Sequence, residues 1–148
     1  MFKICFGYAR AVVIAVVLAL CVSAVFETET VQGQSMMPEL AHGEYVVVNK
    51  AVYLYDEPKP GDIVVFETPL HTETDGNGIL IKRIAGIEGD IVEIDGEEVA
   101  VQKGYVYVLG DNAESSLDSR NAAVGQVQIR DIIGRVIEFE TEKISSKQ

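Results

Sequence analysis

Tryptophan is absent from this chain of 148 residues, and cysteine and histidine occur only twice each. The two cysteines, Cys5 and Cys21, both lie in the apolar amino-terminal segment. On a single helix they would stand about 24 Å apart along the axis, which is too far for a disulfide. Residues 27–148 therefore contain no disulfide. This excludes a small disulfide-stabilised scaffold and implies a domain held together by its apolar core.

Basic residues are also scarce, because 12 lysines and arginines stand against 23 acidic residues, for a formal net charge of −11. Every acidic residue follows Phe26. A surface with this charge repels phosphate groups, so we expect no nucleic-acid partner and no electrostatic adhesion to anionic lipid. The acidic balance alone predicts nothing more specific about a substrate.

Charge is missing entirely from residues 11–26, which are almost all apolar. If a helix begins near Cys5, with Arg10 reaching toward the headgroups, it could cross about 30 Å of hydrocarbon. Lys3 and Arg10 precede this segment and Glu27 follows it, so the positive-inside rule places residues 1–10 in the cytoplasm. We therefore expect a transmembrane anchor over residues 11–26 of a cell-membrane protein, and an extracytoplasmic domain over residues 27–148.

A cleaved signal peptide is the alternative interpretation of the same segment. Val22-Ser23-Ala24 offers the small residues of a cleavage site. Leu18–Cys21 has the general form of a lipoprotein signal, although Leu20 is large for the position before the cysteine. Composition alone favours neither the anchor nor the cleaved signal.

Beyond residue 27 the pattern changes to short runs rich in β-branched and aromatic residues, separated by glycine, aspartate and proline. Such runs predict strands, here at residues 44–50, 62–67, 79–85, 91–94, 105–109 and 131–140. Asp95-Gly96 predicts a hairpin turn, and residues 72–78 form a polar loop. No helical periodicity longer than two turns occurs in this part. The sequence thus predicts one compact, all-β, mostly antiparallel domain.

Four clusters carry possible chemistry, and each by itself is compatible with an ordinary turn or exposed loop. They are residues 32–40 (QGQSMMPEL), 61–66 (GDIVVF), 82–90 (KRIAGIEGD) and 110–120 (GDNAESSLDSR). Their occurrence together, in this order and after an apolar amino-terminal segment, favours a catalytic function.

With these clusters the chain resembles the bacterial type I signal peptidases over residues 8–139. Ser35-Met36-Met37-Pro38 matches the family's nucleophile motif, with Glu39 in place of threonine. Lys82-Arg83 followed by Gly86–Asp90 matches its general-base motif. Residues 110–112 and 116–120 match its third motif, with Ala113 where arginine often stands. Only a hairpin fits between residues 90 and 110, as in the short single-anchor members without a large cap domain.

The residues support the Ser/Lys chemistry that this resemblance implies. A serine hydroxyl needs an adjacent base, and His42 and His71 both lie in polar turns where we expect them to be exposed. Lys82 is flanked by apolar residues, and burial lowers the pKa of a lysine. Because strand side chains alternate, Lys82 should point inward and Arg83 outward. We expect Ser35 and Lys82 to be catalytic, with no metal and no cofactor.

The resemblance also implies roles for supporting residues. Ser116 should orient the lysine amine by a hydrogen bond, and Asp118 and Arg120 should form a salt bridge behind the site. The backbone N–H of Ser35 should be one oxyanion donor, and a second could be a backbone N–H near Gly33 or a water molecule. Residues expected to line the substrate pockets are Met36 and Ile81, with core packing as the alternative for Ile81.

The function implied by the resemblance is that of a membrane-anchored serine endopeptidase. Its partners would be membrane lipid and secretory preproteins, which it would cut after signal peptides with small residues at the first and third positions before the cut. A processing peptidase specialised for conjugation or pilus assembly is one alternative, and a non-catalytic anchored β-domain is another. A self-cleaving repressor shares the Ser/Lys chemistry, but it would carry an amino-terminal DNA-binding domain instead of an apolar segment.

Overall fold

The computed structural model describes residues 2–70 and 78–137, and within the amino-terminal helix it describes the side chains of Tyr8 and of Arg10 onward. His71 and all but the last residue of the predicted polar loop at 72–78 lie outside the described residues. The end of the strand predicted at 131–140 lies outside them as well.

A helix, α1, begins the described chain and spans Phe2–Val25. Its described side chains are exposed from Arg10 to Ala24. Among the residues that the structure describes, no helix has the length and apolar character needed to cross a membrane. The helix ends one residue before the boundary predicted from composition, because Phe26 already pairs with Asn49 in the sheet.

Nine strands follow, and all of their pairings are antiparallel within the described residues, which confirms the all-β prediction for the domain. Their bounds are β1 Phe26–Thr30, β2 Tyr45–Asn49, β3 Ile63–Glu67, β4 Ile79–Ile87, β5 Ile91–Ile94, β6 Glu97–Ala100, β7 Tyr105–Leu109, β8 Val127–Gln128 and β9 Ile132–Ile137. Single turns of 3-10 helix occur at Val52–Leu54, Ala113–Ser115 and Ile129–Asp131.

Seven of the strands form one sheet in the order β1-β2-β9-β3-β4-β7-β8. β1 lies at one edge of the sheet and β4 lies in the fifth position, yet both strands line the same groove. The sheet is therefore curled. β5 and β6 form a separate hairpin. Its turn has positive φ at Asp95 (53°) and Gly96 (83°), as the Asp-Gly pair predicted.

β3 lies at the centre of the sheet and is buried on both faces. Ile63 and Val65 belong to one apolar cluster, and Val64 and Phe66 belong to a second cluster on the opposite face. This division follows from the two-residue period of a strand. Full burial of such side chains contributes about 1.5–3 kcal/mol each relative to exposure, so β3 contributes substantially to the stability of the sheet.

The predicted strands are all present, with ends that shift by one or two residues where they can be compared. Three strands had no prediction of their own, namely β1, β6 and β8. β1 (FETET) carries two glutamates and β6 (EEVA) carries two more, so neither has the apolar alternation that marks a half-buried strand. β8 has only two residues. These strands exist because a neighbouring strand supplies their hydrogen-bond partners.

Gly134 of β9 provides a test of how closely this strand approaches β2, its neighbour in the sheet. A Cβ atom at this position would lie 2.5 Å from the Asn49 carbonyl oxygen and 2.8 Å from Val48 Cγ1. The obstructing oxygen is backbone, which cannot move away without disturbing β2. We expect Gly134→Ala to lower the free energy of unfolding by about 1–3 kcal/mol. Urea denaturation of the detergent-solubilised chain would measure this, and an unchanged midpoint would contradict the packing described.

Candidate active site

The turn that carries Ser35 follows β1 and is closed by backbone hydrogen bonds at its base. The Val31 N–H donates to the Glu44 carbonyl at 2.8 Å, and the Leu40 N–H donates to the Met36 carbonyl at 2.9 Å. The Met36 side chain is 1% exposed and belongs to the first apolar cluster. Burial of this neighbour fixes the turn, so the half-buried Ser35 is held in one place.

Lys82 lies on β4, whose residues alternate between buried and half-buried along its whole length. The side chain of Lys82 is only 3% exposed, as the alternation predicted. Its Nζ donates to Ser35 Oγ at 2.9 Å and to the Ile81 carbonyl at 2.8 Å. The fold thus brings together a serine and a lysine that are 47 residues apart in the chain, within hydrogen-bonding distance.

The segment from Gly110 to Asn112 holds the other side of the nucleophile turn. The Asn112 N–H donates to the Ser35 carbonyl at 2.9 Å, and Asn112 Nδ2 donates to the Gln34 carbonyl at 3.1 Å. A Cβ at Gly110 would lie 2.6 Å from the Ser35 carbonyl and would also collide with the Ser116 side chain. Only glycine fits at this approach. The sequence predicted a turn at this segment but did not predict its contact with the Ser35 turn.

Asp118 is 1% exposed and accepts hydrogen bonds from its surroundings. The guanidinium of Arg120 contacts both carboxylate oxygens, at 2.9 Å from Nε and 2.6 Å from Nη2, and the Gly110 N–H donates at 2.9 Å. Burial alone would raise the pKa of Asp118, but the hydrogen bonds from Arg120 and Gly110 outweigh it and hold the pKa below its usual value. The predicted salt bridge is therefore present and braces the turn at Gly110.

The hydroxyl of Ser116 is buried beside this pair. It lies close enough to Asp118 to help lower the pKa of that carboxylate. It makes no hydrogen bond of good geometry with any residue in the described part of the chain. A hydrogen bond from Ser116 to the Lys82 amine therefore stays a prediction.

Arg83 points away from Lys82 and ties β4 to two other motifs. Its Nε and Nη2 contact the two carboxylate oxygens of Asp111 at 2.9 and 2.8 Å, and its Nη1 donates to the Gly61 carbonyl at 2.9 Å. Bidentate pairing of this kind is the strongest form of arginine–carboxylate contact. The two residues of this ion pair belong to the Lys82-Arg83 and Gly110-Asp111 motifs of the sequence. The outward direction of Arg83 was predicted, but its pairing with Asp111 was not.

His42 is exposed, as predicted, and its Nδ1 accepts a hydrogen bond of 3.0 Å from the Gly33 N–H. That N–H therefore points at the imidazole and is not directed at the Ser35 hydroxyl. The N–H of Ser35 donates no hydrogen bond to any of the described residues.

A groove leads to Ser35 and Lys82 from one side. Residues 29–32 form one wall, residues 79–82 form the other, and Ser35 with Met36 lies at its base. Met36 belongs to the first apolar cluster, Ile81 packs against it, and both residues also line this groove. The role of Ile81 in a substrate pocket stays a prediction.

Strand edges face the groove from both walls. Among the described residues, β1 is paired with β2 alone, and the pairing of β4 with β7 begins at Arg83. The backbone of residues 29–30 and 79–81 could therefore bind an extended peptide as an added strand.

A comparison with known proteins identifies the family. The family model described as signal peptidase, peptidase S26 matches residues 5–103 and 97–139. Signal peptidase I of Bacillus licheniformis is 33% identical over 150 residues, covering 78% of this chain and 78% of its own length. Signal peptidase I T of Bacillus subtilis (strain 168) is 34% identical, covering 77% of this chain and 74% of its own length.

Two relatives from Arabidopsis thaliana extend the comparison. Probable thylakoidal processing peptidase 2, chloroplastic, is 35% identical over 91% of this chain and 44% of its own length. The mitochondrial ATP-independent inner membrane protease subunit 1b is 35% identical over 71% of this chain and 64% of its own length. The chain spans about half the length of the thylakoidal relatives that it matches. By the family model and the Bacillus relatives, the chain belongs to the signal peptidase family, peptidase S26.

Proposed function

We propose that this protein is a membrane-anchored serine endopeptidase that removes signal peptides from exported preproteins. The observation that carries the proposal is the 2.9 Å contact between Lys82 Nζ and Ser35 Oγ, made by a lysine that is 3% exposed. A serine within hydrogen-bonding distance of a buried base is the arrangement that nucleophilic catalysis needs. A non-catalytic role would require neither the burial of this lysine nor its contact with the serine.

In the proposed mechanism, the neutral amine of Lys82 accepts the proton of Ser35 as Oγ attacks the scissile carbonyl. The resulting ammonium gives this proton to the departing amine, and an acyl-enzyme remains. Lys82 then takes a proton from the water that attacks the ester and passes it to Oγ as the acyl–oxygen bond breaks. This step releases the new carboxyl terminus and restores Ser35. The hydrogen bond to the Ile81 carbonyl occupies one N–H of the amine and fixes its orientation beside Oγ.

The negative oxygen that forms during attack needs donors aimed at it. The Ser35 N–H suits this role because no described residue accepts a hydrogen bond from it. The Gly33 N–H, one of the predicted second donors, is instead occupied by His42. We therefore propose that the second donor is another group or a water molecule.

The substrate would bind in the groove as an extended strand between the free edges of β1 and β4. Alternate side chains of such a peptide point the same way, so the first and third residues before the cut would both face the base of the groove. Buried Met36 and half-buried Ile81 leave little space at the base of the groove beside Ser35. This geometry supports a preference for small residues at those two positions.

The amino-terminal helix would hold the enzyme at the membrane, with residues 1–10 cytoplasmic and the catalytic domain outside. The support for this placement is the uncharged run of residues 11–26, although no helix among the described residues has the length and apolar character of a membrane span. Nine positions separate Phe26 from Ser35, so the nucleophile stays within about 30 Å of the end of the helix. Such tethering would keep the site near preproteins whose own apolar segments are still in the bilayer.

The first prediction concerns the catalytic pair. Ser35→Ala and Lys82→Ala should each reduce processing to background, because nucleophile and base act as a unit. Lys82→Arg should be equally inactive, since a guanidinium does not release its proton at usable pH. The readout is cleavage of a labelled secretory precursor, with amino-terminal sequencing of the product.

Exposed residues of the same types provide matched controls for these variants. Ser115→Ala and Lys103→Ala should process the precursor at the unmodified rate. Substantial turnover by Ser35→Ala or Lys82→Ala would refute the mechanism.

The second prediction concerns pH. The rate should rise with pH as Lys82 loses its proton, and it should be half-maximal below about pH 10.4, the ordinary pKa of a lysine. The sign follows from the role of the neutral amine as the base. A pH series of kcat/KM would measure this, and Ser115→Ala should give the same profile. A profile that depended on a group near pH 6.5 and vanished in a His42 or His71 variant would contradict it.

The third prediction concerns the membrane. The mature protein should keep residues 1–26, resist carbonate extraction, and expose residues beyond Glu27 to protease added from outside. The anchor can be useful only if it is retained, although Val22-Ser23-Ala24 could be cut by the enzyme itself. Mass spectrometry of the membrane-bound protein decides the matter. A mature terminus at Val25 would show that the segment is a cleaved signal.

A further inference from the structure

We propose that Glu29 selects substrates by charge, favouring preproteins with a basic residue at the fourth or fifth position before the cut. This inference rests on the proposed function, since it assumes that the groove beside Ser35 receives the peptide. It adds a specificity that the family's preference for small residues does not contain.

The charge of the groove walls is the first observation. Residues 79–81 are all isoleucine or leucine, and residues 30–32 are uncharged. Only Glu29 and Lys82 carry charge among the described residues that line the groove. Lys82 is buried at the catalytic end, so the charge that a passing peptide meets away from the reacting atoms is the carboxylate of Glu29.

Glu27, the other glutamate on β1, differs from Glu29 because it has a cationic partner. Glu27 is two residues away and forms an ion pair of 3.0 Å with Lys50. Its charge is therefore compensated within the protein. Glu29 is half-buried, and no cation in the described part of the chain lies within ion-pairing distance of it. A cationic side chain of the substrate would supply the missing partner.

The direction of the two walls determines which substrate residue meets Glu29. Four antiparallel pairings connect β1 to β4 through β2, β9 and β3, so these two strands run in the same direction. Residues 29–32 lead toward Ser35 and residues 79–82 lead to Lys82, so both walls lead to the dyad. An extended peptide rises about 3.3 Å per residue, and the wall from Ile79 to Lys82 is therefore about 10 Å long. Glu29, at the far end, stands three to five residues from the cut. The proposed preference for small residues already assigns the third position, which leaves the fourth and fifth.

The expected change in peptide affinity depends on how far Glu29 and its ion pair are exposed to solvent. An ion pair open to solvent changes affinity by up to about fivefold, and repulsion of an acidic side chain changes it in the opposite direction. A peptide with lysine beside Glu29 should therefore bind about tenfold more tightly than one with glutamate. Salt should reduce this ratio, because exposed charges are screened.

The experiment measures binding and cleavage separately with the full-length chain in detergent. The probes are labelled peptides that are identical except for lysine, glutamine or glutamate at the fourth or at the fifth residue before the cut. Fluorescence anisotropy with the Ser35→Ala chain gives the ratio of Kd values without any turnover. Cleavage of the glutamine peptide by the unmodified chain, compared with Ser35→Ala, tests the proposed function independently of that ratio.

Glu29→Gln, added to the Ser35→Ala chain, should bring the binding ratio to within about twofold of one, and Glu29→Lys should invert it. The matched control is Glu27→Gln, which makes the same change of net charge on the same strand and should leave the ratio unchanged. An unchanged ratio in Glu29→Gln would overturn the proposal. An equal fall in Glu27→Gln would also overturn it, because the selection would then come from the acidic domain as a whole.

Discussion

Burial of a lysine amine beside a serine is the constraint on which the rest of this structure depends. An ammonium group removed from water is costly unless it is paired or gives up its proton. The sheet must therefore hold Lys82 firmly in place. It does so because β4 pairs with β3, which is buried on both faces, and Lys82 lies opposite Val64 in that pairing. The same rigidity keeps Nζ 2.9 Å from Ser35 Oγ.

The proposed role of Ser35 as nucleophile needs equal rigidity, yet this residue lies in a turn and not in a strand. Its position depends on contacts from outside the turn, with Met36 buried below and Asn112 bonded to the Ser35 carbonyl. Asp118 in turn holds the Gly110 N–H, and Arg120 neutralises Asp118. These residues do not contact the Ser35 hydroxyl through any hydrogen bond in the described structure. They hold the backbone of the Ser35 turn instead, through the Ser35 carbonyl and the Gly110 N–H.

The two faces of β4 differ in the charged groups that they carry. Arg83 pairs with Asp111 on the outward side, where charge is balanced by charge, while the inward side has the buried amine of Lys82 beside the apolar residues 79–81. The chain is strongly acidic, yet among the described residues that line the groove only Glu29 carries a carboxylate. Specificity by charge is possible in such a groove because so little charge competes with Glu29.

Sequence patterns alone determined the strands with apolar alternation, the Asp95-Gly96 hairpin and the inward direction of Lys82, because all of these are local consequences of chain geometry. The motifs also identified Ser35 and the Asp118–Arg120 pair by resemblance. Only the tertiary structure decided that β1, a strand with two glutamates, forms a groove wall, since its pairing partner lies about 20 residues away. It also decided that Asn112 holds the nucleophile turn and that His42 occupies the Gly33 N–H. These contacts join segments that are far apart in the chain. A local sequence pattern does not specify which distant segments come into contact.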